Sequence, residues 1–251
     1  MAPSFHTTAR GHRIAYQYQP GDGPGIVFFC GFRSDMTSTK ATALAEFCAA
    51  EGIAFTRFDY HGHGASEVAF LDFTIGGAIA DGLEVLDHLT TGDQLLIGSS
   101  MGAWVALQVA LERKAQVRGF IGVASAPDFT ERLMYARMTP QQRVELDDAG
   151  QIWVHSDYTS SDYPITRNFI HEARQHVLLD DVIGLAIPMH LLHGQADMDV
   201  PWETSLLLAE KVISDTVAVT LIKDGDHRLN RAEDLALMMD AVRRMLAGAT
   251  N

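Results

Sequence analysis

At 251 residues, with 47% hydrophobic and 20% charged positions, the chain has the size and composition of one globular α/β domain rather than of a disordered segment. Its net charge of −13, without any Lys/Arg cluster, disfavours nucleic acid or an anionic membrane surface as a partner. No apolar run approaches membrane-spanning length and the first residues lack a signal-peptide pattern, while Cys30 and Cys48, in apolar surroundings, read as small core residues of a reducing compartment.

Residues 5–8 and 13–18 are short β-like runs, and Ala9-Arg10-Gly11 between them reads as a hairpin turn. Residues 19–25, rich in Gly and Pro, read as turn throughout. The unbroken apolar run at 26–30 predicts a buried parallel strand, and it ends in Gly31-Phe32-Arg33. A helix is expected over 37–50, with Leu44, Phe47 and Cys48 on one face, then a strand over 53–59 and a Gly-rich loop over 60–66. Helices are expected at 75–89, 101–113, 202–212 and 232–246, and strands at 94–99, 117–124, 188–193 and 217–222. Such alternation implies a mostly parallel sheet covered on both faces. One stretch breaks it. From 128 to 181, through Asp157-Tyr158, no clear strand is visible, and the length is too great for a plain loop. It reads as a small, mainly helical lid inserted into a single domain of residues 1–251.

The stretch Leu95-Leu96-Ile97-Gly98-Ser99-Ser100-Met101-Gly102-Ala103-Trp104 runs from strand into helix through G-x-S-x-G, the order of a nucleophile elbow. A turn that tight holds its central residue in a strained conformation and leaves room only for glycine two positions away on either side. Ser100 is therefore the expected nucleophile; the rival Ser99 has Ile97 and Met101 at those positions. A Cys-His protease built on Cys30 has no such elbow. A serine needs a base and an acid to orient that base. Asp128, Asp197, Asp199 and Asp226 follow Ser100 in the chain, and Asp197, just past a strand end, is the expected acid. His227, in Lys223-Asp224-Gly225-Asp226-His227-Arg228, is the expected base, which gives the order Ser…Asp…His. The oxyanion donors are expected to be Met101 N–H, at the helix N-terminus, and Phe32 N–H, in the loop after the 26–30 strand. His193 reads as a brace for the acid loop, and His61 and His63 as turn residues bonded to the backbone. Together with Asp59 those two histidines suggest a metal constellation, but no established ligand framework supports one, and no metal is expected. In the lid, Met134, Met138 and Trp153 are expected to wall an acyl pocket.

Taken jointly, the elbow, the Gly31-Phe32 loop, residues 59–66, His193-Gly194-Gln195-Ala196-Asp197 and Gly225-Asp226-His227 resemble the α/β-hydrolase superfamily over nearly the whole chain. Three stretches, residues 31–37 with Lys40-Ala41, residues 126–130 and residues 163–167, are similar to mitochondrial abhydrolase-type acyl-protein thioesterases and their bacterial relatives. The resemblance implies a mostly parallel eight-stranded sheet flanked by helices. It also implies hydrolysis of thioesters such as S-palmitoyl cysteine and of carboxyl esters including acyl glucuronides, on a small molecule or an acylated protein, with no cofactor. The compartment expected is a bacterial-like cytoplasm, with the mitochondrial matrix as the alternative if a transit peptide has been removed. A peptidase, a lipase-like esterase and a non-catalytic ligand receptor on the same fold are the competing readings.

Overall fold

A computed structural model describes residues 2–155 and 162–248; Asp157 and Tyr158 lie outside the described residues. Strands β1 (Ser4–Thr7) and β2 (Arg13–Gln19) form the expected hairpin, closed by Gly11 N–H donating to Thr8 O at 2.9 Å. Strand β3 (Asp22–Phe29) starts earlier than its Gly/Pro content suggests. Asp22 N–H donates to Gly52 O at 2.8 Å and Gly25 N–H to Asp93 O at 2.9 Å, so bonds to neighbouring segments outweigh the local turn preference. Gly25 also lies so close to the next strand that a Cβ would fall 2.6 Å from Gln94 Oε1. Helix α1 (Thr39–Glu51) ends at Gly52, which is left-handed at φ 71°.

The alternation continues through β4 (Ile53–Phe58), α2 (Ile75–Leu89), β5 (Gln94–Ser99), α3 (Met101–Glu112) and β6 (Val117–Val123). Thr74 caps α2 by accepting Gly77 N–H at 3.0 Å. Helix α3 is apolar nearly all round and is buried between the sheet and the segment that follows β6. The indole of its Trp104 donates to His176 O at 2.8 Å.

The segment after β6 departs from the expectation of a helical lid without strands. A π-helix (Thr130–Tyr135) and α4 (Pro140–Ala149) are followed by β7 (Gln151–Val154), β8 (Tyr163–Thr166) and α5 (Arg167–Ala173). Strands β7 and β8 pair antiparallel as a separate two-stranded sheet. At four residues each, with Pro164 inside one of them, they are too short to leave a period-two signature. Both oxygens of Asp128 accept amides, from Leu178 and Leu179, each at 2.8 Å, so one side chain ties the two ends of the insertion together.

Strand β9 (Met189–Gly194), α6 (Glu203–Lys211), β10 (Val217–Ile222) and α7 (Ala232–Gly248) complete the chain. The main sheet runs β1-β2-β4-β3-β5-β6-β9-β10; β1–β2 and β2–β4 pair antiparallel and the remaining pairs are parallel. The inner strands β5 and β9 are buried along their whole length, as a sheet covered on both faces requires. The carboxyl ends of β3, β5, β9 and β10 therefore open on one edge, beneath the insertion. Among the described residues no helix is long and apolar enough to cross a membrane.

Candidate active site

At the carboxyl end of β5 the chain turns into α3 through a single residue. Ser100 sits at φ 55°, ψ −120°, a conformation sparsely populated for a side-chain-bearing residue. The glycines around it are sterically dictated. A Cβ on Gly98 would fall 2.4 Å from Ala103 Cα, and one on Gly102 would fall 2.1 Å from Phe29 O. Ser99 also borders the cavity described below, but the serine that reaches a histidine is Ser100: its Oγ lies 3.1 Å from His227 Nε2.

The loops that follow β9 and β10 supply the partners. They are bonded to each other, with Ala196 N–H donating to Gly225 O at 2.9 Å, and a Cβ on Gly194 would strike that same carbonyl. Asp197 is buried. Its Oδ1 accepts the amides of Asp199 at 2.9 Å and Val200 at 2.8 Å, and its Oδ2 lies 2.7 Å from His227 Nδ1. A carboxylate only accepts, so His227 carries its proton on Nδ1, and Nε2 is left to accept from the Ser100 hydroxyl. His193 Nε2 lies 3.2 Å from Asp197 Oδ2 and 3.1 Å from Val200 O, both acceptors, which puts a proton there; its Nδ1 then accepts from the Ser205 hydroxyl at 2.7 Å. Burial alone would raise the Asp197 carboxyl, but hydrogen bonds from His193, His227 and Val200 hold it well below the usual carboxylate range. The other candidate acids are placed differently: Asp128 ties the insertion, Asp226 accepts the amides of Arg228 and Leu229, and Asp199 donates its own amide to Asp197.

Opposite this row stands the loop after β3. A Cβ on Gly31 would come within 3.3 Å of Ser99 O and 3.5 Å of Ser100 Cβ, so the backbone passes directly over the elbow. Arg33 is left-handed at φ 57°, and its amide donates to His63 Nε2 at 3.1 Å. Met36 N–H donates to Asp59 Oδ1 at 2.6 Å. The Phe32 ring stacks on Phe169 of α5 at 5.2 Å and 8° and packs against Phe73 and Phe129, which fixes the peptide that bears its N–H. Met101 is buried at the first position of α3, where the amide has no carbonyl one turn back to bond. Cys30 beneath this loop is fully buried, burial pushes its thiol up, and its Sγ–H donates to Ser34 O.

The suggested constellation of Asp59 with His61 and His63 does not form. Asp59 turns to the amides of Met36 and Ala65; His61 does not simply bond the backbone but pairs through Nδ1 with Asp81 at 2.6 Å. Among the described residues two groups of three donor side chains approach within 4.8 Å. One is His12, His61 and Asp81, whose carboxylate already receives the Arg10 guanidinium at 2.7 Å; the other is Asp197, Asp199 and His227. The supports are His63, bonded to the backbone as expected and lying under Arg33, and Lys40, buried between α1 and the His227 loop, for which the sequence suggests no such place. Each lies in a stretch that carries the family resemblance, but neither type of residue announces a bracing role.

Ser100 and His227 border a cavity of about 680 Å³ walled on the insertion side by Phe129, Leu133, Met134 and Met138. Trp153 does not belong to this wall. Pairing sets Ile152 opposite Ile165 and Val154 opposite Tyr163, and these four border the cavity, so the alternation of a strand turns Trp153 outward, where it is 60% exposed. Arg33, Lys40, Arg137 and Arg228 also border it.

A family model described as "Alpha/beta hydrolase family" matches residues 26–243. The mitochondrial palmitoyl-protein thioesterase ABHD10 of Mus musculus is 38% identical over 237 residues, covering 94% of this chain and 80% of that protein. The solved structure of alpha/beta hydrolase domain-containing protein 10 from mouse superposes with a TM-score of 0.92 at 35% identity, covering 99% of each chain. A putative hydrolase from Agrobacterium vitis S4 superposes with a TM-score of 0.92 at 36% identity, covering 98% of this chain and 100% of that one.

Proposed function

The chain belongs to the alpha/beta hydrolase family, as an ester or thioester hydrolase, and from that premise we propose that it works through an acyl-enzyme on Ser100. The observation that carries this reading is the row Ser100 Oγ–His227 Nε2 at 3.1 Å and His227 Nδ1–Asp197 Oδ2 at 2.7 Å, at the border of a cavity whose insertion side is apolar. Ser100 Oγ attacks the acyl carbon while His227 takes its proton; Asp197 holds the imidazole in the required tautomer and stabilises the imidazolium. Negative charge on the carbonyl oxygen is met by the amides of Phe32 and Met101. His227 then returns the proton to the departing thiolate or alkoxide. Water, deprotonated by the same histidine, attacks the acyl-enzyme and regenerates the Ser100 hydroxyl, releasing the carboxylic acid.

The insertion of residues 128–181 acts as a lid whose inner face, Met134 and Met138 included, receives the acyl chain. The name of the mouse relative supports a long-chain S-acyl protein as the substrate class, and of the two compartments it favours the mitochondrial one. The testing experiment pairs stoichiometric labelling by a fluorophosphonate probe with a hydrolysis panel of thioesters and oxygen esters of graded acyl length. Labelling at Ser100 with turnover of the thioesters is the expected result; a folded protein whose Ser100 stays inert would be a ligand receptor instead.

A further inference from the structure

Lys40, the second residue of α1, is a buried cation with no part in the chemistry above. Its ammonium crosses from the helix that follows the Gly31–Phe32 loop to the loop that carries His227. There it donates to Arg228 O, and to Asn230 Oδ1 at 3.3 Å. The Arg228 amide is held as well, donating to Asp226 Oδ1 at 3.1 Å, and Leu229 beyond it is forced left-handed at φ 44°. The residue after the base is therefore gripped at its N–H by its own loop and at its carbonyl by another element. We propose that Lys40 is a positioning residue: it locks the His227 loop to the oxyanion side of the site, and proton transfer from Ser100 depends on that lock. The proposal rests on the serine-hydrolase reading.

The side chain's energetics separate this role from a merely structural one. Burial pulls Lys40 down to about 8, with Asp226 and Asp234 acting the other way. In the unfolded chain it would hold its proton near 10.4, so at neutral pH its burial as a cation subtracts from stability. Methionine has similar length, removes that cost and makes neither hydrogen bond. Arg228 and Asn230, whose acceptors the substitution frees, both border the cavity. A lysine that only held the fold together would give a variant losing stability and activity in step.

The test compares wild type, Lys40→Met and Lys40→Arg by melting temperature, kcat, KM and the second-order rate of Ser100 labelling by a fluorophosphonate. For Lys40→Met the expectation is a Tm within about 3 °C of wild type, KM within about threefold, and kcat and labelling rate lowered together by about 10–100-fold. Lys40→Arg, which keeps the charge and the donors, should recover most of both rates. A folded Lys40→Met with wild-type kcat and labelling overturns the proposal. If that variant does not fold, Asn230→Ala decides: a several-fold lower kcat at unchanged Tm supports the lock, and an unchanged kcat overturns it. A wild type that does not label overturns the serine-hydrolase reading, and this proposal with it.

Discussion

His193 points Nε2 at Asp197 Oδ2 from 3.2 Å, the same oxygen that receives His227 at 2.7 Å. One carboxylate oxygen thus serves two imidazoles, one wholly buried and one facing the cavity. The buried one fixes the carboxylate that fixes the other. His193→Phe, which keeps the ring volume and loses the bonds to Asp197, Val200 and Ser205, should lower kcat by about 10–100-fold and leave KM within a few-fold. A kcat equal to wild type in a steady-state thioester assay would show that the two backbone amides on Oδ1 suffice to hold Asp197.

The proposed nucleophile and acid each have a near neighbour that serves as a control. Ser100→Ala should lower kcat by roughly 10⁴–10⁶, and Asp197→Asn by about 10⁴ through the wrong imidazole tautomer. Ser99→Ala and Asp199→Asn should keep most of the activity. A dead Ser99→Ala with an active Ser100→Ala would move the elbow by one residue.

His63 makes stability depend on acid. Burial pulls it down to about 4, and the neutral ring is what accepts the Arg33 amide. Unfolded, the same ring titrates near 6.5. Between the two values the unfolded chain binds the extra proton, so this contribution is complete above about pH 6.5 and is lost as pH falls toward 4. It amounts to roughly 3 kcal/mol. In urea denaturation at pH 7, 5.5 and 4, His63→Gln, whose amide oxygen still accepts, should show a shallower loss of stability than wild type. Parallel curves would mean that His63 does not titrate across this window.

Acyl-length selectivity should follow the wall that the insertion presents. Each methylene buried there contributes up to about 0.8 kcal/mol, so kcat/KM should rise with chain length and then level off. Met138→Ala and Met134→Ala should shift that profile while sparing turnover of an acetyl ester. Trp153→Ala should leave it unchanged, because the indole faces outward. A panel of thioesters from two to sixteen carbons, about the range of common acyl chains, separates the outcomes; an altered profile in Trp153→Ala alone would refute the wall.

What was legible in the sequence follows from how each feature is encoded. The elbow could be read because its glycines answer to fixed contacts, Gly98 against Ala103 and Gly102 against Phe29, that only one residue type satisfies. The strands under it were legible as unbroken apolar runs. Asp197 and His227 were legible from their places after strand ends in chain order. The first half of β3 was not, since Asp22–Gly25 carries turn chemistry and is held extended by partners as distant in the chain as Gly52 and Asp93. Nor were β7 and β8, each four residues long. Trp153 was misread for the same reason: without the strand, nothing in the sequence says which way it faces. The backbone bonding of His63 was legible, but not that Arg33 is its partner, and Lys40 escaped altogether, because a brace is defined by the backbone atom it reaches and that atom belongs to a distant segment.

The four-residue strand β7 has two readers. Ile152 and Val154 meet whatever enters the cavity, and Trp153 meets whatever approaches the protein from outside. A lineage that must accept a longer acyl chain can mutate the first pair and leave the outer surface as it was; one that must recognise a different carrier can replace the tryptophan without disturbing the acyl register. On this strand the two pressures are divided between odd and even positions.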